Sequence, residues 1–173
     1  MNISSCYPIG YISKTHGLKG EVTVTTHPEF VAEAVEDIES VFVEQNGRLV
    51  PYFIESISVQ GSKAFLKLED VSTIEQASAL KNHTLYLPKS TRPKLKKGEF
   101  YNDEIIGFKV EDSEQGLLGF VTEVEQTGLN RLIQLKNDAG KEFLIPANGP
   151  FIKAINKTQK SIMVELPEGF LDI

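Results

Sequence analysis

The chain has 173 residues, of which 40% are hydrophobic and 24% charged, and its formal net charge is −6. That balance suits a soluble globular protein of one large domain or two small ones, and excludes a disordered or collagen-like chain. The single cysteine, Cys6, excludes an internal disulfide framework and any cysteine-based zinc cluster within one chain.

Residues 7–14 read as a strand that ends in Lys14-Thr15-His16-Gly17-Leu18-Lys19-Gly20, where two close glycines mark a tight turn. Gly20 to Thr25 alternates polar and apolar, the pattern of a half-buried strand. Pro28 to Glu36 is compatible with a short helix that has Pro28 at its first position. Residues 38–44 and 49–59 read as strands around Gln45-Asn46-Gly47-Arg48, a hairpin signal. Residues 62–68 alternate again, with Ala64, Leu66 and Leu68 on one face.

One helix is marked. Ser72-Thr73-Ile74-Glu75 fits a capping box with Ser72 as the cap, and Ile74, Ala77 and Leu80 form an apolar stripe. Asn82 can end it, and Thr84 to Leu87 makes a closing strand that Pro88 stops.

Lys89 to Lys97 breaks the pattern: five of nine residues are basic, and only Leu95 is a large apolar residue. This is the composition of a linker, with a phosphate contact through Lys94, Lys96 and Lys97 as the functional alternative. The boundaries fall at 1–89 for a first domain, 90–97 for the linker and 98–173 for a second domain. The halves differ in charge: residues 1–97 hold 11 basic and 11 acidic residues, whereas 98–173 hold 7 and 13. An acidic module is a poor match for a phosphate backbone and a better one for a basic protein.

The second domain opens on Phe100-Tyr101-Asn102-Asp103-Glu104-Ile105-Ile106-Gly107. Neighbours in a strand point to opposite faces, so Phe100 and Tyr101 cannot both enter one core from a strand. Either they stand at the surface as anchors for a partner, or they plug one end of a small barrel. Residues 105–111, 117–124, 131–135, 142–145, 151–155 and 161–166 read as short strands, with Leu118, Phe120 and Val124 on one side of the second. The spacing predicts a barrel or sandwich, so the whole reads as mainly β: two β-barrels joined by a basic linker, with one short helix in the first.

Chemistry is sparse. His16, His27 and His83 lie in separate segments without metal-ligand spacing, and no metal or cofactor is expected. No nucleophile elbow, P-loop or dinucleotide fingerprint is present, which disfavours an enzyme. The turn at His16-Gly17-Leu18-Lys19-Gly20 is either a plain β-turn or a phosphate contact through backbone N–H groups and Lys19. No apolar run approaches the roughly 20 residues of a transmembrane helix. Met1 to Ser5 lacks the charged and apolar regions of a signal peptide, so a cytoplasmic location is expected. No exposed helical seam suggests an oligomer, so a monomer is expected.

Seven motifs, in order and nearly end to end, give the chain a family resemblance. They are Ile9-Gly10 through Thr15-His16-Gly17-Leu18-Lys19-Gly20-Glu21-Val22, the helix with Ala77 and Leu80, and Phe100-Tyr101-Asn102-Asp103 with Ile106-Gly107. Gly119, Thr127-Gly128-Leu129-Asn130, Leu144-Ile145-Pro146 and Leu166-Pro167-Glu168-Gly169-Phe170-Leu171-Asp172 follow. Together they resemble the bacterial RimM family of ribosome maturation factors. The resemblance implies a six-stranded translation-factor-like barrel followed by a PRC-type barrel. It implies a non-enzymatic accessory factor for assembly of the 30S head and 16S rRNA processing. The implied partners are the small-subunit ribosomal protein numbered nineteen and nearby 16S rRNA. It assigns the protein contact to Phe100 and Tyr101; their neighbours Asn102, Asp103 and Glu104 complete the candidate site. The candidate rRNA contacts are His16, Lys19, Lys94, Lys96 and Lys97. The chain departs from the family's common pattern at Phe100, often Tyr; at Asn102, often His; and at Arg131, often Asp. The competing readings are an rRNA-processing or rRNA-modifying enzyme and a non-ribosomal regulatory module, since PRC-type barrels occur elsewhere.

Overall fold

The computed structural model describes residues 2–96, 98–127, 130–147 and 150–170. The chain divides into two compact units, Met1–Lys94 and Leu95–Ile173.

In the first unit, β1 (Cys6–His16), β2 (Glu21–Thr26), β3 (Ser40–Gln45), β4 (Arg48–Gln60), β5 (Lys63–Leu68) and β6 (Thr84–Pro88) close into a barrel, in the order β1-β2-β5-β4-β3-β6. Alternation in the sequence accounts for the lining. Val22 and Val24, Val41 and Val43, Leu66 and Leu68, and Leu85 and Leu87 all point inward and are buried. Closure pairs every strand on both sides and removes exposed edges. The β3–β4 turn has positive φ at both Asn46 and Gly47, as a two-residue hairpin between twisted strands requires.

The helix differs from its expected form. α1 is only Ile74–Ser78, and its cap is Thr73, not Ser72. The Thr73 hydroxyl accepts from the Gln76 N–H, and the Gln76 side chain accepts from the backbone of Ser72 and Thr73. Thr-x-x-Gln is an equally good capping box, and this register buries Ala77 and Leu80 while leaving Ile74 39% exposed. Asn82 lies beyond the helix in a left-handed conformation, donating its N–H to the Ile12 carbonyl. The segment after Pro28 yields only a short 3₁₀ turn at Ala32–Val35, which buries Ala34 and Val35.

The second unit is one six-stranded sheet. Its strands are β7 (Lys109–Asp112), β8 (Gly116–Thr127), β9 (Asn130–Lys136), β10 (Glu142–Pro146), β11 (Ile152–Asn156) and β12 (Ser161–Val164), in the order β10-β9-β8-β7-β12-β11. The β9–β10 hairpin turns where the sequence places it, at 137–140. β7 and β12 pair in parallel, and the other neighbours are antiparallel. Val110, Val121, Ile133, Leu135, Ile145, Ile162 and Val164 meet in one core, so the sheet curls around its own inner face.

Two expectations fail in this unit. Residues 105–108 are a turn and not a strand: Phe108 donates to the Ile105 carbonyl and Gly107 to that of Val121. Phe120 is 43% exposed rather than inward, and Val121 is buried in its place. The cause is a bulge that slips the register between Val110, opposite Gly119, and Glu111, opposite Leu117. A second slip between Val121 and Glu123 returns Val124 to the inner side, packed against the core.

At the end of β7, Asp112 is buried. One carboxylate oxygen accepts from the N–H groups of Glu114 (2.8 Å) and Gln115 (3.0 Å), and the other from Leu166 (2.9 Å). These bonds hold its pKa below the usual carboxylate value; the Leu166 N–H contributes most, against an opposing effect of burial.

Candidate functional site

The stretch from Phe100 to Glu104 forms a braced turn. Phe100 is buried, with 7% exposure, in the core that also holds Ile105 and Phe108. Its surface placement is therefore corrected, because a ring of this size gains more from a core than from solvent. Tyr101 is half-buried and Asp103 exposed. The carboxylate of Glu104 folds back on the turn: it accepts from the Tyr101 N–H at 2.7 Å and pairs with Lys157 at 3.2 Å.

Arg131, on β9, is the brace. Its guanidinium carbon lies 4.1 Å from the centroid of the Phe100 ring. It donates to the Phe100 carbonyl at 2.9 Å and to the Asn102 side-chain oxygen at 2.5 and 2.9 Å. The Asn102 amide then donates to Gln126 at 2.8 Å. A planar fork can stack on a ring and hold two acceptors at once, which an ammonium cannot. Arg131→Ala is expected to lower the stability of the second unit by about 2 kcal/mol, and Arg131→Lys to recover less than half of that. Urea denaturation of the three proteins measures both. In sequence Arg131 stands out only as a departure from the family pattern, and Lys157 and Gln126 carry no signal at all.

In the first unit the β1–β2 turn projects His16, Leu18 and Lys19, all exposed. His16 is 3.9 Å from the Glu21 carboxylate, a loose pair. Its ring also meets Phe65 of β5, with centroids 4.6 Å apart, a contact invisible in sequence because 49 positions separate the two. Lys94 and Lys96 are exposed, and Lys97 lies outside the described residues.

Among the described residues, no group of three or more His, Cys, Asp or Glu side chains could hold a metal ion. Nor is any described helix long and apolar enough to cross a membrane. What the described residues offer is two β modules, each presenting a surface turn held by its own sheet.

Family comparison places it. The RimM N-terminal domain matches residues 7–92, and the RimM PRC barrel domain matches residues 102–170. The chain belongs to the RimM family. The ribosome maturation factor RimM of Flavobacterium johnsoniae is 36% identical over 100% of this chain and 99% of its own length. That of Flavobacterium psychrophilum is 37% identical with the same coverage. A crystal structure of a RimM protein from Pseudomonas aeruginosa covers 95% of this chain and 99% of its own at 23% identity, with a TM-score of 0.44.

Proposed function

We propose that this protein is a ribosome maturation factor that acts in the cytoplasm, as a monomer, on the head of the immature 30S subunit. The second domain holds a basic small-subunit ribosomal protein, the one numbered nineteen. The first domain and the linker touch nearby 16S rRNA and so support its processing. No chemistry by the protein itself is needed. Higher affinity for the immature arrangement than for the finished one stabilises the former until later proteins dock.

The observation that carries this reading is the braced turn on a module of net −6, counted over residues 98–173. Phe100 and Asn102 hold the turn from within, Glu104 fixes the Tyr101 backbone, and Tyr101 and Asp103 face the partner. An aromatic presented on a rigid support loses little entropy on binding, and the surrounding negative field orients a basic partner. In the first domain His16 and Lys19, and in the linker Lys94, Lys96 and Lys97, supply the rRNA contacts.

Titrating the purified ribosomal protein into the full chain tests the reading. Tyr101→Ala is expected to weaken binding by about 2 kcal/mol, the range of an interface hot spot. A loss below about 0.5 kcal/mol in a folded variant removes Tyr101 from the contact. Absence of binding by the wild type removes the ribosomal protein as the primary partner.

A further inference from the structure

The first unit holds 9 basic and 11 acidic residues, yet one outer face of its barrel gathers lysines and aromatics. Strand register places the side chains. Lys14 of β1 lies opposite Thr23 of β2, which lies opposite Phe65 of β5, which lies opposite Ser58 of β4. The adjoining row runs Tyr11, Thr25, Lys63, Gln60. Both rows face outward, because the intervening Val22, Val24, Ala64 and Leu66 fill the core.

Two features set this face apart from an ordinary polar barrel wall. Lys14, Lys19 and Lys63 are exposed, and among the described residues none has an ion-pair partner. Lys67, by contrast, is tied to Glu55 at 3.2 Å. Second, the rings of His16 and Phe65 come from β1 and β5 and meet across β2. Thr23 sits between those strands and is only 1% exposed although it points away from the core, and its hydroxyl has no hydrogen-bond partner. Buried hydroxyls are seldom left unpaired, and such an atom marks a place where a ligand's polar edge can be accepted.

We infer that this face binds single-stranded RNA, with one base stacked at the His16–Phe65 pair and the flanking phosphates on Lys14, Lys19 and Lys63. The exposed His16 ring swings aside as the base enters, the base stacks on Phe65 by its π-face, and its edge then reaches the Thr23 hydroxyl. Duplex RNA offers no such base, so the surface selects unpaired strands. The inference rests on the rRNA-contact half of the proposed function and gives that contact a location and a substrate class.

The test is fluorescence anisotropy of a labelled single-stranded oligouridylate and of an RNA duplex of equal length, titrated with the full chain across a salt series. Folding of each variant is checked by circular dichroism and thermal unfolding. Single-strand binding is expected to exceed duplex binding. Phe65→Leu is expected to weaken it about tenfold with an unchanged salt slope. Lys14→Gln with Lys63→Gln is expected to flatten the slope by about 1.4, or about 0.7 for each phosphate no longer neutralised. If Phe65→Leu does not fold, Thr23→Val, which keeps the shape and removes the hydroxyl, is the second variant, and a several-fold loss is expected. Equal binding of duplex and single strand, or an unchanged affinity in folded Phe65→Leu, overturns the inference. Failure of the wild type to bind oligouridylate while it still binds immature 30S particles overturns it too and leaves the proposed function standing. Failure to bind the particles overturns the proposed function itself.

Discussion

Asp112→Ala is expected to destabilise the second unit by about 3 kcal/mol or more. One buried carboxylate serves the three backbone N–H groups of Glu114, Gln115 and Leu166. Removing it leaves the Leu166 donor buried without an acceptor, and each hydrogen bond to a charged group is worth about 1.5–3 kcal/mol. Asp112→Asn should fall between the two, since its oxygen can still serve Glu114 and Gln115 while its amide faces the Leu166 N–H as a second donor. The pH dependence has a definite sign. Asp112 titrates lower in the folded unit than its ordinary value. Its contribution is therefore complete above about pH 4 and is lost as pH falls below that value toward the folded pKa. Urea midpoints at pH 7 and below about pH 4, for wild type and both variants, measure this. A cost below about 1 kcal/mol with the Leu166 amide still protected from exchange would remove Asp112 as a tie.

Gly20→Ala should be comparably severe in the first unit. Gly20 has φ +92°, and a methyl group there would lie 2.2 Å from the Val71 carbonyl oxygen. Left-handed strain adds about 1–2 kcal/mol and the overlap about 1–3 more, because the obstacle is backbone that cannot rotate away. Gly17 is the internal control. It shares a positive φ, +72°, but has open space around it, so Gly17→Ala should cost only the strain. Denaturation of the pair separates close approach from conformation. Equal losses would show that Val71 yields.

Much of this architecture was readable from the chain. Val22 and Val24, or Leu66 and Leu68, declare their strands by simple alternation, and Asn46-Gly47 declares its hairpin. Alternation fails where a bulge intervenes: Phe120 looks inward only if β8 is assumed regular. It also fails at Ile105 to Phe108, where apolar residues in a turn pack as well as in a strand. The parallel β7–β12 pairing joins segments that no local pattern connects. The candidate site divides in the same way. Phe100 to Glu104 is conspicuous as a string, but the burial of Phe100 and the ion pair of Glu104 involve Arg131 and Lys157, brought in by tertiary folding. His16 and Phe65 are each unremarkable alone and become a surface only through register.

The parallel pairing of β7 with β12 also bears on how the protein is made. These strands lie about fifty residues apart and are adjacent inside the sheet, so the second unit carries a non-local pairing and should fold more slowly than a run of hairpins. During synthesis, β7 to β10 emerge first as a meander whose β7 edge has no partner. That edge stays open until the β11–β12 hairpin leaves the exit tunnel, and only then can Asp112 reach the Leu166 amide. A nascent or truncated chain ending before residue 161 would therefore present an unpaired strand to its neighbours, the condition under which β proteins aggregate.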